Sequence, residues 1–154
     1  MIKLRTIIVD DEPLAVERLQ ILCASEQSID LVGTASDGAS ALRLAQSLTP
    51  DLILLDIGMP KMDGISVARA VAMIERKPAI IFVTAYDNFA VEAFDLDVVD
   101  YMLKPVSAER LGRAISRAVA VVAEQDSVDG SASTAHDAVI DEAAGGFATE
   151  FWVS

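Results

Sequence analysis

Short apolar runs rich in β-branched residues alternate with amphipathic stretches from the start of the chain to about residue 123. That alternation restricts the fold more than any other feature. LRTIIVD (4–10) has the pattern of a short buried strand. In PLAVERLQILCAS, Leu14, Arg18, Leu19, Leu22 and Cys23 recur at helical spacing, and Pro13 suits a first helical turn. IDLVGTAS reads as strand, then DGASALRLAQSL as a helix with Asp37 at its N-cap and Thr49-Pro50 as its stop. DLILLD is a third strand and 64–74 a third helix. AIIFVTA, NFAVEAFDL, VVDYML and SAERLGRAISRAVAVVAEQ add strand, short helix, strand and a long final helix.

Five strand–helix units with continuously apolar strands predict a parallel sheet covered on both faces. Right-handed crossovers leave few topologies, and the flavodoxin-like (βα)5 three-layer sandwich, sheet order 2-1-3-4-5, is the commonest for five units. In such a sheet the functional crevice lies at the carboxyl ends of the strands.

Charge separates this domain, 1–123, from the remainder of the chain. Of 24 acids, seven fall in 124–154, which hold no Lys or Arg; the first 123 residues carry 17 acids against 12 bases. Such a domain has no basic footprint for nucleic acid. The stretch 124–146 is small, polar and acidic without a sustained period and reads as a flexible linker. FATEFWVS (147–154) turns apolar and aromatic again and reads as the start of a second domain. The single cysteine, Cys23, fits a packed thiol in a reducing cytoplasm. Apolar runs fall far short of a bilayer span, and MIKLRTIIVDDEP lacks the h-region of a secretory signal, so the expectation is a cytoplasmic protein with no membrane partner.

The strand ends carry the chemistry. The first ends in Asp10-Asp11-Glu12, the third in Asp56, the fourth in Thr84-Ala85-Tyr86, and the fifth leads to Lys104-Pro105. In the order 2-1-3-4-5 these four strands are consecutive, so their ends converge. Each residue alone has an ordinary reading as a helix cap, turn or strand residue; the convergence is the argument. Clustered carboxylates must bind protons or a cation. Oxygen-only ligands suit Mg²⁺ (or Mn²⁺), while Lys104 and the Thr84 hydroxyl suit phosphoryl oxygens. Such a site fits phosphoryl transfer with Asp56 as nucleophile.

The motifs VDDEP, LLDIGMPKMDG, FVTA and DYMLKP, in this order, resemble the receiver domain of two-component response regulators over roughly residues 3–123. The resemblance implies that Asp56 is the phosphoacceptor and that a sensor histidine kinase or small phosphodonor supplies the group. It implies metal binding by Asp11 and Asp56 directly, by Asp10 largely through water, and by the backbone carbonyl of Gly58. Lys104 would contact the phosphoryl group, the Lys104-Pro105 bond would be cis, and Thr84 and Tyr101 would form the switch pair.

TAYDNFAVEAFDLDVVDYMLKP is similar to the receivers of LytTR-type (LytR/AlgR-like) transcription regulators, and FATEFWVS resembles the opening strand of their DNA-binding domain. DNA would then be contacted only through an output domain that this chain does not hold. A stand-alone receiver acting by protein contact is the alternative. A Mg²⁺-dependent phosphatase is a third reading, disfavoured by the lack of a DxDx[TV] motif. Gly58 and Tyr86 are candidates for tuning dephosphorylation, in opposite directions. Glu92, Asp95 and Asp97 against Arg110, Arg113 and Arg117 suggest a phosphorylation-favoured homodimer in which acids of one protomer meet arginines of the other.

Overall fold

The computed structural model describes residues 3–129. Five strands, β1 (Leu4–Val9), β2 (Ile29–Ala35), β3 (Leu52–Leu55), β4 (Ala79–Thr84) and β5 (Asp100–Leu103), form one parallel sheet of order β2-β1-β3-β4-β5. Between and after them run α1 (Pro13–Ala24), α2 (Gly38–Leu48), α3 (Gly64–Val71), α4 (Ala90–Asp95) and α5 (Ala108–Asp129). This is the flavodoxin-like arrangement expected from the sequence. The chain divides into two units, Met1–Val121 and Val122–Ser154; of the second, only the end of α5 is described.

Strand pleating sorts the core. Ile7, Val9, Ile53, Leu55, Ile80 and Phe82 pack in one buried cluster with residues of α2, α3 and α4. The alternate positions Ile8, Leu54, Ile81 and Val83 are equally buried and point to the opposite face. There Leu19 of α1 and Val83 line one cleft, and Leu111, Ala114, Ile115 and Ala118 of α5 are buried. The central strands β3 and β4 are buried at every position, as a sheet covered on both faces requires. Edge strand β2 is buried only at its ends, Ile29 and Ala35, and is partly or fully open to solvent between them.

Local chemistry sets the helix ends. Asp37 accepts the Ser40 N–H at 2.8 Å and Asp63 accepts the Ser66 N–H at 2.9 Å, capping α2 and α3. Pro13 begins α1 at a position where its missing N–H costs nothing. Thr49 ends α2 in the left-handed region at φ 43°, and the Arg5 guanidinium donates to the Leu48 and Thr49 carbonyls there.

Two boundaries differ from expectation. α3 ends at Val71 rather than Ile74, because Met73 and Ile74 bond back three residues, to Ala70 and Val71, and tighten the last turn. α5 continues to Asp129, through the first residues of the expected linker 124–146. That segment has no Gly or Pro before Gly130, so nothing local stops the helix. The rest of the expected linker and the expected strand at 147–154 lie outside the described residues.

Candidate functional site

Four consecutive strands deliver the site. β1 and β3 pair in register up to Val9 and Leu55, so the next residues, Asp10 and Asp56, leave the sheet side by side. The Asp56 N–H donates to the Val9 carbonyl at 2.9 Å, and the Asp10 N–H donates to Ala35 at 3.0 Å, which extends the ladder to the two acids. Both carboxylates are buried, at 1% and 5% exposure. Asp10 Oδ1 accepts the Glu12 N–H at 2.9 Å, and Asp56 Oδ1 accepts the Gly58 N–H at 3.3 Å. Asp11 is half-buried beside them, and one oxygen from each of Asp10, Asp11 and Asp56 lies within 4.8 Å of the others.

Lys104 arrives from the end of β5, with its own N–H on the Thr84 carbonyl at 2.8 Å. Its Nζ stands 2.8 Å from Asp10 Oδ2, 3.1 Å from Glu12 Oε1 and 3.4 Å from Asp56 Oδ2. The Lys104-Pro105 bond is cis. Burial raises the Asp10 pKa; the nearby Lys104 ammonium and the hydrogen bond from the Glu12 N–H pull it back, and the Asp56 charge adds to the rise. For Lys104, burial disfavours the ammonium, but Asp10, Asp56 and Glu12 more than offset it, so its pKa is raised. One lysine against four carboxylates leaves the cluster strongly negative. Asp10 Oδ2 is buried and faces Lys104 off the hydrogen-bonding direction, so it has an ion pair but no hydrogen bond. An all-oxygen set with a buried, incompletely satisfied carboxylate fits a hard divalent cation.

The loop after Asp56 is held by contacts that explain its glycines. Gly64 donates to the Ile57 carbonyl at 2.9 Å. A methyl there would collide with the Asp56 and Ile57 backbone, so only glycine lets α3 start this close to the acid. At Gly58 a methyl would overlap the ring of Tyr86.

Thr84, fully buried at the end of β4, accepts the Tyr86 N–H on Oγ1 at 3.3 Å. Tyr101 lies opposite Phe82 in the β4–β5 register, their rings 6.0 Å apart, and its hydroxyl donates to the Tyr86 carbonyl. Burial raises the Tyr101 pKa.

The charged face differs from the sequence expectation in one respect. Arg110 grips buried Asp100 with two bonds of 2.7 Å, and Arg117 adds a third at 2.7 Å. The Arg110 pKa rises through the Asp100 hydrogen bonds, burial notwithstanding. Two of the three arginines expected to face another protomer thus turn onto an acid of their own chain, while Arg113 is exposed. Glu92 meets Arg69 at 4.0 Å, and Asp95 and Asp97 are exposed. Asp100 was not among the residues singled out from sequence, although an acid inside the apolar run VVDYML was the available signal. Glu12, named at the end of the first strand but given no role from sequence, shares Lys104 with the aspartates.

Residues 6–116 match the family model described as the response regulator receiver domain. The chain belongs to the response regulator receiver family. It is a receiver domain of two-component signalling, a module switched by phosphorylation. The receiver is 47% identical over 116 residues to the positive alginate biosynthesis regulatory protein of Pseudomonas aeruginosa, covering 75% of this chain and 47% of that protein. It is 39% identical over 116 residues to the transcriptional regulatory protein BtsR of Salmonella typhi, covering 74% of this chain and 47% of that protein. The chain therefore spans about half the length of the curated relatives it matches. Among solved structures it is similar to the response regulatory domain of protein mrkE from Klebsiella pneumoniae, with a TM-score of 0.73 and 35% identity over 78% of this chain and 98% of that one. No helix of the described receiver is long and apolar enough to cross a membrane.

Proposed function

We propose that Asp56 is the phosphoacceptor of this receiver. The observation that carries the reading is the gathering of Asp10, Asp11 and Asp56 within 4.8 Å, with Lys104 against two of them. An Asp56 carboxylate oxygen attacks the phosphorus of a phosphohistidine; the P–N bond breaks and the imidazole leaves, forming an aspartyl phosphate. Asp10, Asp11, Asp56 and the Gly58 carbonyl would hold Mg²⁺ (or Mn²⁺), which neutralises phosphoryl charge when bound. Lys104, already 3.4 Å from Asp56 Oδ2, pairs with a phosphoryl oxygen. Water then hydrolyses the acyl phosphate, with Gly58 and Tyr86 tuning the rate. Metal-dependent self-phosphorylation and autodephosphorylation at Asp56 are the only chemistry this reading gives the chain.

The partner is a sensor histidine kinase in the cytoplasm. A cleft of about 370 Å³ beside Lys104, lined by Leu14, Ala15, Arg18, Leu22, Pro105 and Val106, supports docking there, because a donor must reach Asp56. Thr84 and Tyr101 pass the change onward: contacts with the phosphoryl group draw the hydroxyl in and bias the aromatic ring. The output is transcription, through a LytTR-type DNA-binding domain beginning near 147. A homodimer through Glu92, Asp95, Asp97 and Arg113 accompanies it, with Arg110 and Arg117 available only by leaving Asp100.

The test is labelling by a small phosphodonor, acetyl phosphate or phosphoramidate, with and without Mg²⁺. Wild type takes up one metal-dependent label and Asp56→Ala takes up none; label retained in the variant overturns the assignment.

A further inference from the structure

Tyr86 stands where three separate features of the site meet. Its ring fills the space that a side chain at residue 58 would need, so the absence of a Cβ at Gly58 is what seats the ring on the phosphoacceptor loop. Gly58 in turn donates its N–H to Asp56 Oδ1 at 3.3 Å, which puts the seated ring one residue contact from the reacting carboxylate. The Tyr86 backbone is bracketed: its N–H donates to Thr84 Oγ1 at 3.3 Å, and its carbonyl accepts the Tyr101 hydroxyl. Edge-on packing against Phe89, with ring centroids 6.1 Å apart, supports the ring from the other side. Tyr86 is nevertheless half exposed and its own hydroxyl makes no hydrogen bond among the described residues, so the seat depends on these few contacts.

We infer that Tyr101 is a positioning residue for Tyr86: its hydroxyl, by holding the Tyr86 carbonyl, keeps the Tyr86 ring seated on Gly58 as a shield over the acyl phosphate. The shield works by excluding the attacking water from the phosphorus, and Gly58 is its socket. The switch tyrosine then controls the lifetime of the signal as well as its transmission. While the Tyr101 hydroxyl holds the carbonyl, hydrolysis is slow; when it lets go, the ring is tethered only by Phe89 and the Thr84 contact, and water gains access. The inference rests on Asp56 being the phosphoacceptor, and on Tyr86 rather than the Tyr101 ring being the group that faces the phosphoryl.

The experiment is a double-mutant cycle on the decay of the phosphorylated full chain, labelled by acetyl phosphate with Mg²⁺ and then freed of donor. Four proteins are compared: wild type, Tyr86→Ala, Tyr101→Phe and Tyr86→Ala/Tyr101→Phe. Tyr101→Phe keeps the ring and removes one neutral hydrogen bond, which corresponds to about two- to tenfold faster decay. Tyr86→Ala decays faster still. The deciding result is that Tyr101→Phe adds nothing in the Tyr86→Ala background, because the residue it positions is gone. Tyr86→Phe, which retains ring and carbonyl, restores slow decay. Equal acceleration by Tyr101→Phe in both backgrounds overturns the inference, since Tyr101 would then act on hydrolysis without Tyr86. So would decay unchanged by Tyr101→Phe alone. Failure of wild type to take up label is a different outcome and strikes the phosphoacceptor assignment instead.

Discussion

Gly64→Ala is the substitution that most directly probes how the fold places Asp56. The added methyl would lie 2.7 Å from Ile57 Cα and 2.8 Å from the Asp56 carbonyl carbon, whereas carbon atoms in contact rest about 3.5–4.0 Å apart. Both neighbours are backbone, so no side chain can rotate away. Overpacking costs about 1–3 kcal/mol even where side chains yield, and here the upper end applies. Alanine's better helix propensity returns at most about 1 kcal/mol at the start of α3. The net loss is then about 2 kcal/mol, and a domain of this size loses roughly 4 °C in Tm per kcal/mol. A drop of roughly 8 °C in the circular-dichroism melt is expected. Because the displaced atoms belong to Asp56 and Ile57, acetyl-phosphate labelling falls as well. A Tm within about 2 °C of wild type together with undiminished labelling would refute the close approach as the reason for glycine here.

Three other contacts give equally definite outcomes. Arg110→Ala removes two of the three arginine bonds to buried Asp100; it costs about 2 kcal/mol in urea unfolding, less than the 3–5 typical of a broken buried pair, because Arg117 remains. Adding Arg117→Ala costs more than the sum of the single changes, since buried Asp100 then has no cation and keeps only the Tyr101 N–H. Asp37→Ala uncaps α2: the Ser40 N–H bond holds the Asp37 pKa below its ordinary 3.8, so the stability gap from wild type is full above that value and closes as pH falls through the lowered folded pKa. Cys23 is buried with its thiol pushed up to about 11, so at pH 8 only about one thiol in a thousand is thiolate; native protein resists iodoacetamide while urea-unfolded protein reacts fully.

Much of this was legible in one dimension. Asp37 was readable as a cap because a short acceptor side chain preceding a helical period has few other uses. Asp10, Asp56, Thr84 and Lys104 were readable as one group because strand order turns distant positions into neighbours. The pairing of Arg110 and Arg117 with Asp100 was not, because a charge pattern on a helix looks the same whether it faces water, a partner or its own sheet. The end of α5 lies beyond the boundary that composition suggests for a related reason: an acidic, small-residue stretch is compatible with helix when an established helix runs into it.

The sequence by itself determined the layer plan and which residues stand at the strand ends, since apolar period and turn chemistry are local properties. Only the tertiary structure decided what those residues touch. Gly58 and Tyr86, two separate tuning candidates from sequence, form a socket and its occupant. The Tyr101 hydroxyl reaches the Tyr86 backbone rather than open solvent, and Gly64 is a matter of clearance from Asp56 rather than of turn geometry. Contacts of this kind depend on distances between elements far apart in the chain, and no local period encodes them.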